Sequence, residues 1–370
     1  MIIQYPNYER SILNISQSIL KAYGLEVKYA TIQEIDSVLK TKPKHVMFIL
    51  LDGLGTNILE QNLPSSAALR KQQITKLTSI FPPTTVAATT AFLSGQLPRT
   101  NGHISWMQYD KETDINTVIF RNEDYYDTSH KVLSSNFPAK LAYINIFTRI
   151  IEARSDILVE ELWPDFRING YMSFDEQVDR LIEISRTKGQ TLTYCYWTDP
   201  DETIHRHGEK SAMTQQVVEH LNEQFEQLIN SVDPDTAIFL FADHGLVNVE
   251  PLDFVEKTEF QSFLRQAPSL ESRACTFFLK AGEEERFLKY YHKNLAPYFL
   301  LVKGQDYFST QLFGQGPNHP LLHTFVGDYV LIAKDKYYIR LIKEREYAGH
   351  HAGLTKGEME IPLIIFTREN

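Results

Sequence analysis

Three mainly apolar runs of strand length limit the folds that this chain can adopt. They span His45–Leu51, Thr191–Trp197 and Ala237–Ala242. Such runs are typical of strands that are buried on both faces of a parallel sheet. Segments with helical spacing of apolar residues precede and separate these runs, as at 10–23 and 211–232. This alternation predicts an α/β fold, a three-layer α/β/α sandwich around a mostly parallel central sheet.

Acidic residues and histidines follow directly after these three runs. Asp52 follows the first, Asp201 and His205 follow the second, and Asp243 and His244 follow the third. In open α/β sheets, ligands bind at the carboxyl ends of the strands, so these side chains are expected at one edge. Carboxylate and imidazole groups are typical ligands of zinc, with manganese as the second choice.

A further histidine completes this candidate ligand set. His351 lies in a glycine-containing segment near the C-terminal end of the sequence. With it, two sites of three protein ligands can be drawn. Asp201 and His205 are four residues apart, so one helical turn would direct both side chains to the same ion. The sequence therefore predicts two metal ions, Zn²⁺ or Mn²⁺, about 4 Å apart.

A helix start is predicted directly after two prolines. Pro82 and Pro83 exclude a helix up to that point, and small apolar residues from Val86 onward favour one that begins near Thr85. The first amides of a helix lack intrahelical partners and favour an anion, so the Thr85 hydroxyl is a candidate nucleophile. The simpler alternative is that Thr84 or Thr85 only caps the helix.

The pattern predicts a core and a smaller insertion. The core comprises 1–250 and 335–370, and its last strand is expected at Ile361–Ile365. The segment 251–334 consists of shorter helical and strand-like units and is interpreted as a small α+β insertion or lid. An aromatic-rich segment that ends near Asn169 gives no clear pattern.

Charge and composition narrow the possible partners and locations. A formal net charge of -10 argues against nucleic-acid polymers and anionic membranes, because both favour a basic protein face. No stretch reaches the roughly 20 apolar residues of a membrane span, and no secretion signal is recognised. The two cysteines fit a reducing compartment, so we expect a cytoplasmic protein. The sequence leaves the oligomeric state open.

Five motifs occur in a fixed order along nearly the whole chain. They are an apolar strand ending in Asp52-Gly53, Pro83-Thr84-Thr85 before a small-residue helix, Asp201-x-x-x-His205-x-x-Gly208, Asp243-His244-Gly245, and Gly349-x-His351-Ala352-Gly353-Leu354. In this ordered set the chain resembles the alkaline phosphatase superfamily. It is most similar to the type I phosphodiesterase/nucleotide pyrophosphatase branch.

The resemblance implies a role for each matching position. One zinc would be held by Asp201, His205 and His351, and the other by Asp52, Asp243 and His244, with Thr85 bound to it as the nucleophile. His351 is chosen over His350 because the family's histidine stands directly before two small residues and a leucine.

One position departs from the family pattern. The eukaryotic-type members place an asparagine about twenty residues after the nucleophile, where it holds a phosphoryl oxygen. The corresponding segment here, 102–108, contains no asparagine. Asn101, the backbone amide of Val86 and Trp106 are therefore our candidates for substrate binding.

The activity implied by the resemblance is metal-dependent hydrolysis of a small phosphorylated substrate. The first hypothesis is a phosphodiesterase or nucleotide pyrophosphatase that forms a phospho-threonine at Thr85. The alternatives on the same metal site are a phosphomonoesterase and a phosphonate hydrolase of the phosphonoacetate type. Outside catalysis, a metal-binding protein without turnover is the remaining alternative.

Overall fold

The computed structural model describes residues 1–132, 137–254, 257–343 and 345–368. The strands, numbered along the chain, are β1 (His45–Leu51), β2 (Gln73–Thr78), β3 (Met107–Asp110), β4 (Ile115–Val118), β5 (Glu123–Asp124), β6 (Ile157–Leu162), β7 (Gln190–Trp197), β8 (Thr236–Phe241), β9 (Val247–Asn248), β10 (Glu250–Asp253), β11 (Ser269–Leu270), β12 (Ala274–Phe277), β13 (Phe299–Lys303), β14 (Tyr329–Ala333), β15 (Tyr337–Arg340), β16 (Gly349–His350) and β17 (Glu360–Phe366).

The helices are numbered in the same way. They are α1 (Ile12–Ala22), α2 (Gln33–Lys40), α3 (Thr56–Asn62), α4 (Ala68–Lys71), α5 (Thr85–Ser94), α6 (Pro98–Asn101), α7 (Phe137–Lys140), α8 (Ile146–Ala153), α9 (Phe174–Ser185), α10 (Asp201–His207), α11 (Ala212–Ser231), α12 (Thr258–Phe263), α13 (Glu284–Asn294), α14 (Leu322–Phe325) and α15 (Lys356–Met359). Within the described ranges, none of these helices combines the length and apolar character needed to cross a membrane.

The central sheet has six strands in the order β2-β17-β8-β1-β7-β6. Strands β8, β1, β7 and β6 are parallel, whereas β17 is antiparallel to both of its neighbours. Strands β1 and β8 are buried along their whole length, as their continuous apolar runs predict. The expected mostly parallel sheet is confirmed, and the strand expected at 361–365 returns to it as β17.

Two groups of helices pack on this sheet. Helices α1, α2, α5 and α8 contact one another in one group, and α3, α4, α9 and α11 do so in the other. Their apolar faces join the strands in one large buried cluster. Helices in two such layers with a sheet between them form the predicted three-layer α/β/α sandwich.

A second sheet of seven strands has the order β13-β14-β12-β11-β3-β4-β5. All of its pairs are antiparallel, and its faces bury separate apolar clusters. Strands β11 to β14 come from the expected insertion, 251–334. Strands β3 to β5 come from the aromatic-rich segment that the sequence left without a pattern. The insertion therefore shares its sheet with residues 107–124, and the division of the chain into core and lid stays a prediction.

Candidate metal centre

The carboxyl ends of β1, β7 and β8 place the predicted ligands at one edge of the central sheet. Leu51 of β1 lies opposite Trp197 of β7, and Leu50 lies opposite Phe241 of β8. The acidic residues that follow are therefore neighbours. The amide of Asp201, the first residue of α10, donates to the carbonyl of Asp52 at 3.1 Å.

Gly53 allows this close approach of the chain segments. Its φ of +72° lies in the left-handed region, and a Cβ there would lie 2.9 Å from Cα of Asp201. The Gly53 amide donates to Oδ1 of Asp243 at 3.1 Å, and the His244 amide donates to the same oxygen at 2.9 Å. These main-chain contacts fix the Asp243 carboxylate next to Asp52.

Asp52, Asp243 and His244 form the first ligand cluster, and Thr85 lies beside it. We call these four residues the buried half-site. Nε2 of His244 lies 3.5 Å from Oδ1 of Asp52 and 3.4 Å from Oδ2 of Asp243. Oγ1 of Thr85 lies 3.3 Å from Nε2 of His244 and 3.5 Å from Oδ1 of Asp52. The four predicted residues therefore converge.

Asp201, His205 and His351 form the second cluster, which we call the open half-site. Nε2 of His205 lies 3.4 Å from Oδ1 of Asp201, and Nε2 of His351 lies 3.8 Å from the same oxygen. Candidate ligand atoms of Asp201, His244 and His351 lie within 4.8 Å of one another, so the two clusters adjoin. The rings of His244 and His351 stack with centroids 3.9 Å apart.

The spacing of these atoms fits a tetrahedral ion. Two atoms that each lie about 2.1 Å from a tetrahedral zinc are about 3.4 Å apart. The separations within the buried half-site, 3.3 to 3.5 Å, match this value. They are longer than the usual hydrogen bonds, about 2.7–3.2 Å between nitrogen and oxygen and about 2.5–3.0 Å between two oxygens, so direct hydrogen bonding accounts for them poorly.

The three predicted histidine ligands share one orientation. Each places Nδ1 against a backbone carbonyl and leaves Nε2 directed to its cluster. The carbonyls are Gly349 for His205 at 2.9 Å, Gly245 for His244 at 3.2 Å and Pro83 for His351 at 3.0 Å. An imidazole that donates from Nδ1 keeps the lone pair on Nε2 free for a metal.

His350 has the opposite arrangement. It is buried next to His205 and His351, and its ring nitrogens belong to the same group of potential ligands. Its Nδ1 accepts a hydrogen bond from the His351 amide at 2.9 Å. Neutral His350 therefore carries its proton on Nε2, where a metal ligand needs a lone pair. This geometry favours His351 over His350 as the ligand.

The electrostatics of the clusters also favour bound cations. Among the described residues, Oδ1 of Asp201 and Oδ2 of Asp243 are buried without a hydrogen-bond donor. Burial, with repulsion from Asp243 and Asp201, raises the pKa of Asp52 well above its usual value. Burial, with repulsion from Asp243, does the same for the pKa of Asp201. A divalent cation would supply the missing positive charge, so these residues fit a two-metal site.

Burial keeps the histidines in the form that metals bind. It lowers the pKa of His205 to about 4 and also lowers the pKa values of His244 and His351. All three are therefore neutral near pH 7, as nitrogen ligands must be.

Helix α5 places Thr85 at its first position. Thr84 is the N-cap, and the first intrahelical hydrogen bond runs from the Ala88 amide to the Thr84 carbonyl. The amides of Thr85, Val86 and Ala87 precede this bond and lie at the positive end of the helix. The predicted start of the helix is confirmed, and the Val86 amide has the position expected of a group that holds a phosphoryl oxygen.

The other two candidate substrate residues have structural partners. Asn101 donates from Nδ2 to Ser94 Oγ and to the Gln96 carbonyl, and its Oδ1 accepts from the His103 amide. These contacts close the segment 96–103. It contains the short helix α6, because Pro98 begins the helix and Gly102, with φ of +83°, ends it.

Trp106 lies in the second-sheet region. Its ring meets the Phe120 ring edge-on, with the Arg121 guanidinium 5.6 Å from the ring centroid. Its amide donates to Glu271 Oε1 at 2.6 Å. Among the described residues, these partners of Asn101 and Trp106 are not the predicted metal ligands, and the role of both residues in substrate binding stays a prediction.

Two residues near the clusters are not among the site residues predicted from the sequence. The hydroxyl of Tyr196 donates to Oδ2 of Asp52. Glu271 is buried and accepts from the Ser105 hydroxyl at 3.3 Å as well as from Trp106. Burial raises the pKa of Glu271 to about 7. Tyr196 lies in a predicted strand near its ligand-bearing end, which was an available signal, whereas nothing local marks Glu271.

The fold and the paired clusters at the sheet edge define a protein of the alkaline phosphatase superfamily. Within it, residues 46–352 match the profile of the family type I phosphodiesterase / nucleotide pyrophosphatase, and the chain belongs to this family. A comparison with curated proteins finds no match.

Solved structures share this fold at low sequence identity. Murine ectonucleotide pyrophosphatase / phosphodiesterase 5 superposes with a TM-score of 0.63 at 17% identity, covering 86% of this chain and 87% of that chain. The human protein of the same name gives 0.63 at 15% identity, with coverages of 87% and 88%. Phosphonoacetate hydrolase from Sinorhizobium meliloti 1021, in complex with phosphonoacetate, gives 0.60 at 14% identity, with coverages of 87% and 90%.

Proposed function

We propose that this chain is a two-metal-dependent phosphodiesterase or nucleotide pyrophosphatase that works through a phospho-threonine intermediate at Thr85. Family membership supports a hydrolase of phosphoric esters. The observation that carries the finer proposal is the position of Thr85 Oγ1, which lies within 3.5 Å of both His244 and Asp52. A threonine that only capped the helix would have no need of these neighbours.

Each half-site would hold one ion, and zinc is the metal we propose. Asp52, Asp243 and His244 would bind one beside Thr85, and Asp201, His205 and His351 would bind the second. When bound, the ions would neutralise phosphoryl charge and lower the pKa of an adjacent hydroxyl group or water. Mn²⁺ is the alternative, because it accepts the same oxygen and nitrogen ligands.

The residues of the chain account for two successive substitutions at phosphorus. First, Thr85 Oγ1 attacks in line and loses its proton to solvent, while the bond from phosphorus to the leaving oxygen breaks and that oxygen takes up a proton. Water then attacks the phospho-threonine, and the bond from phosphorus to Oγ1 breaks to restore the hydroxyl. The amides at the start of α5 would hold the phosphoryl oxygens throughout.

A nucleotide is the substrate class that we propose first. The murine relative has been solved as an inactive threonine-to-alanine variant in complex with AMP. That observation agrees with a threonine nucleophile and with a nucleotide-containing ligand in this fold.

A phosphonate hydrolase is the second candidate. The fold likeness to phosphonoacetate hydrolase extends over 87% of this chain. The amide of Asn101 is already engaged within its own segment, and 102–108 offers no asparagine in its place. A substrate smaller than a nucleotide diester is compatible with that difference.

Turnover of three probes on zinc-loaded protein tests the proposal. We expect bis(p-nitrophenyl) phosphate to be hydrolysed faster than p-nitrophenyl phosphate, with phosphonoacetate slowest. Faster turnover of the monoester or of phosphonoacetate would replace the diesterase assignment with the corresponding alternative. A metal-loaded protein that hydrolyses none of the three, nor a nucleotide pyrophosphate, would support the noncatalytic alternative.

A further inference from the structure

A buried ion pair connects the second sheet to the segment that carries His351. Arg273, between β11 and β12, donates from Nε and Nη2 to the two carboxylate oxygens of Glu358 at 2.7 and 2.8 Å. Both side chains are fully buried. A buried ion pair is weak evidence for stability, because removing two charges from water offsets much of their attraction. We therefore ask which residues this ion pair holds in place.

Glu358 holds the residues that follow His351. Its carboxylate accepts from the Gly353 amide at 2.6 Å and from the amide and hydroxyl of Thr355 at 3.0 and 2.6 Å. A Cβ on Gly353 would lie 2.9 Å from both carboxylate oxygens, so this glycine lets the carboxylate approach the main chain.

The residue between His351 and these contacts is strained. Ala352 has φ of +85°, in the left-handed region that a residue with a Cβ rarely adopts. Such a conformation persists only where the surroundings hold it. The Nδ1 contact of His351 with Pro83 holds one side of Ala352, and the Glu358 contact with Gly353 holds the other.

We propose that Arg273 and Glu358 are positioning residues that fix His351 for metal binding in the open half-site. The inference rests on the proposed function, which supplies the metal ion. The buried half-site should depend much less on these two side chains, because their hydrogen bonds to each other and to Gly353 and Thr355 lie on the His351 segment. Beside that cluster, the main-chain carbonyl of Glu358 accepts from the Gly245 amide at 2.9 Å, while the charge of its carboxylate acts on the His244 imidazole. Substituting the side chain leaves that carbonyl in place.

Cobalt titration can test each half-site separately. Asp243→Asn would leave the open half-site, and Asp201→Asn would leave the buried one. Arg273→Lys and Glu358→Gln are then introduced into each background, and Co²⁺ binding is followed by its visible absorption and by calorimetry. We expect Co²⁺ affinity to fall about 10- to 100-fold in the open half-site, as for other residues that orient metal ligands, and to stay within about threefold in the buried one.

A matched control and a charge-free variant complete the test. Arg265→Lys alters an exposed arginine of the same region, which pairs with Asp328 at 3.1 Å, and should leave both affinities unchanged. Arg273→Met combined with Glu358→Leu removes both buried charges together, so it tests the role of the carboxylate without leaving an unpaired charge. It should weaken the open half-site as the single variants do.

The outcomes separate this inference from the proposed function. Unchanged Co²⁺ affinity in the open half-site, or equal losses in both, would overturn the positioning role alone. A wild-type protein that binds no Co²⁺ would overturn the proposed function and this inference with it.

Discussion

The two half-sites use the same kinds of ligand but differ in exposure and in support. In the buried half-site, the side chains of Asp52, Asp243 and His244 are 4%, 0% and 0% exposed. In the open half-site, those of Asp201, His205 and His351 are 17%, 18% and 7% exposed. The first cluster follows two central strands directly, whereas the second combines a short helix with a segment held by Glu358.

The two half-sites therefore differ in how firmly their ligands are held and in how far solvent reaches them. The half-site that contains the candidate nucleophile is built on the interior strands of the sheet, where main-chain hydrogen bonds fix the carboxylates. The more exposed half-site is where, under the proposed mechanism, a leaving group would depart and water would enter. Four experiments test these differences and the residues around the two half-sites.

The largest effect is expected from Thr85→Ala. Loss of the nucleophile should lower turnover by on the order of 10⁴-fold or more, because the covalent route is removed. Metal content and thermal unfolding should stay close to those of the wild type. Thr84→Ala is the matched control and should retain turnover far above that of Thr85→Ala, as measured with bis(p-nitrophenyl) phosphate. Comparable losses in the two variants would show that Thr85 is not the nucleophile.

A second test compares the rates at which the two ions leave. In excess chelator, the ion of the open half-site should dissociate about tenfold faster or more, since its ligands are exposed and held by fewer main-chain contacts. Metal content is measured over time by atomic emission. Asp201→Asn should retain only the slow phase and Asp243→Asn only the fast one. The reverse assignment would contradict the comparison.

A smaller and more selective effect is expected from Tyr196→Phe. This change removes the hydroxyl that donates to Asp52, so the affinity of the buried half-site should fall about tenfold while the open one is unchanged. Tyr194→Phe is the control, because the Tyr194 hydroxyl is buried without a hydrogen-bond partner among the described residues. Zinc competition with a chromophoric chelator measures both variants. Equal zinc affinities in the two variants would show that the Tyr196 hydroxyl does not support metal binding.

Glu271→Gln is expected to have the smallest effect on the two half-sites. Its main effect should be on how the free energy of unfolding depends on pH. Burial raises the pKa of Glu271 from 4.5 to about 7, so the folded protein binds this proton more tightly than the unfolded chain. Its contribution to stability is full below pH 4.5 and is lost as the pH rises through about 7. In chelator-treated protein, the difference in unfolding free energy between wild type and variant should change by about 3 kcal/mol over this range. Parallel pH profiles from denaturant unfolding would contradict the assignment.

The ligand-bearing edge could be predicted because its signals are local. A strand that is buried on both faces is a continuous apolar run, and the acid that follows it lies at a known edge of a parallel sheet. The start of α5 could be predicted equally well, since Pro82 and Pro83 exclude a helix before it. These patterns place Asp52, Thr85 and Asp243 without knowledge of distant contacts.

The second sheet and the supporting residues could not be predicted in the same way. Strand β11 has two residues and pairs with β3, more than 150 positions earlier, so no local periodicity identifies the pairing. The roles of Glu271 and Arg273 depend on partners from other segments. Likewise, which nitrogen of His351 is free depends on the carbonyl of Pro83, a contact between distant parts of the chain.

The position of β17 bears on how the protein is made. This strand, at 360–366, follows all the others in sequence, yet it lies between β2 and β8 in the central sheet. A ribosome would have to release the whole stretch from β2 to β17 before β2 and β8 gained their shared neighbour. His351 emerges at almost the same time, so a nascent chain would complete its central sheet and its predicted ligand set together, after the other described strands have been made.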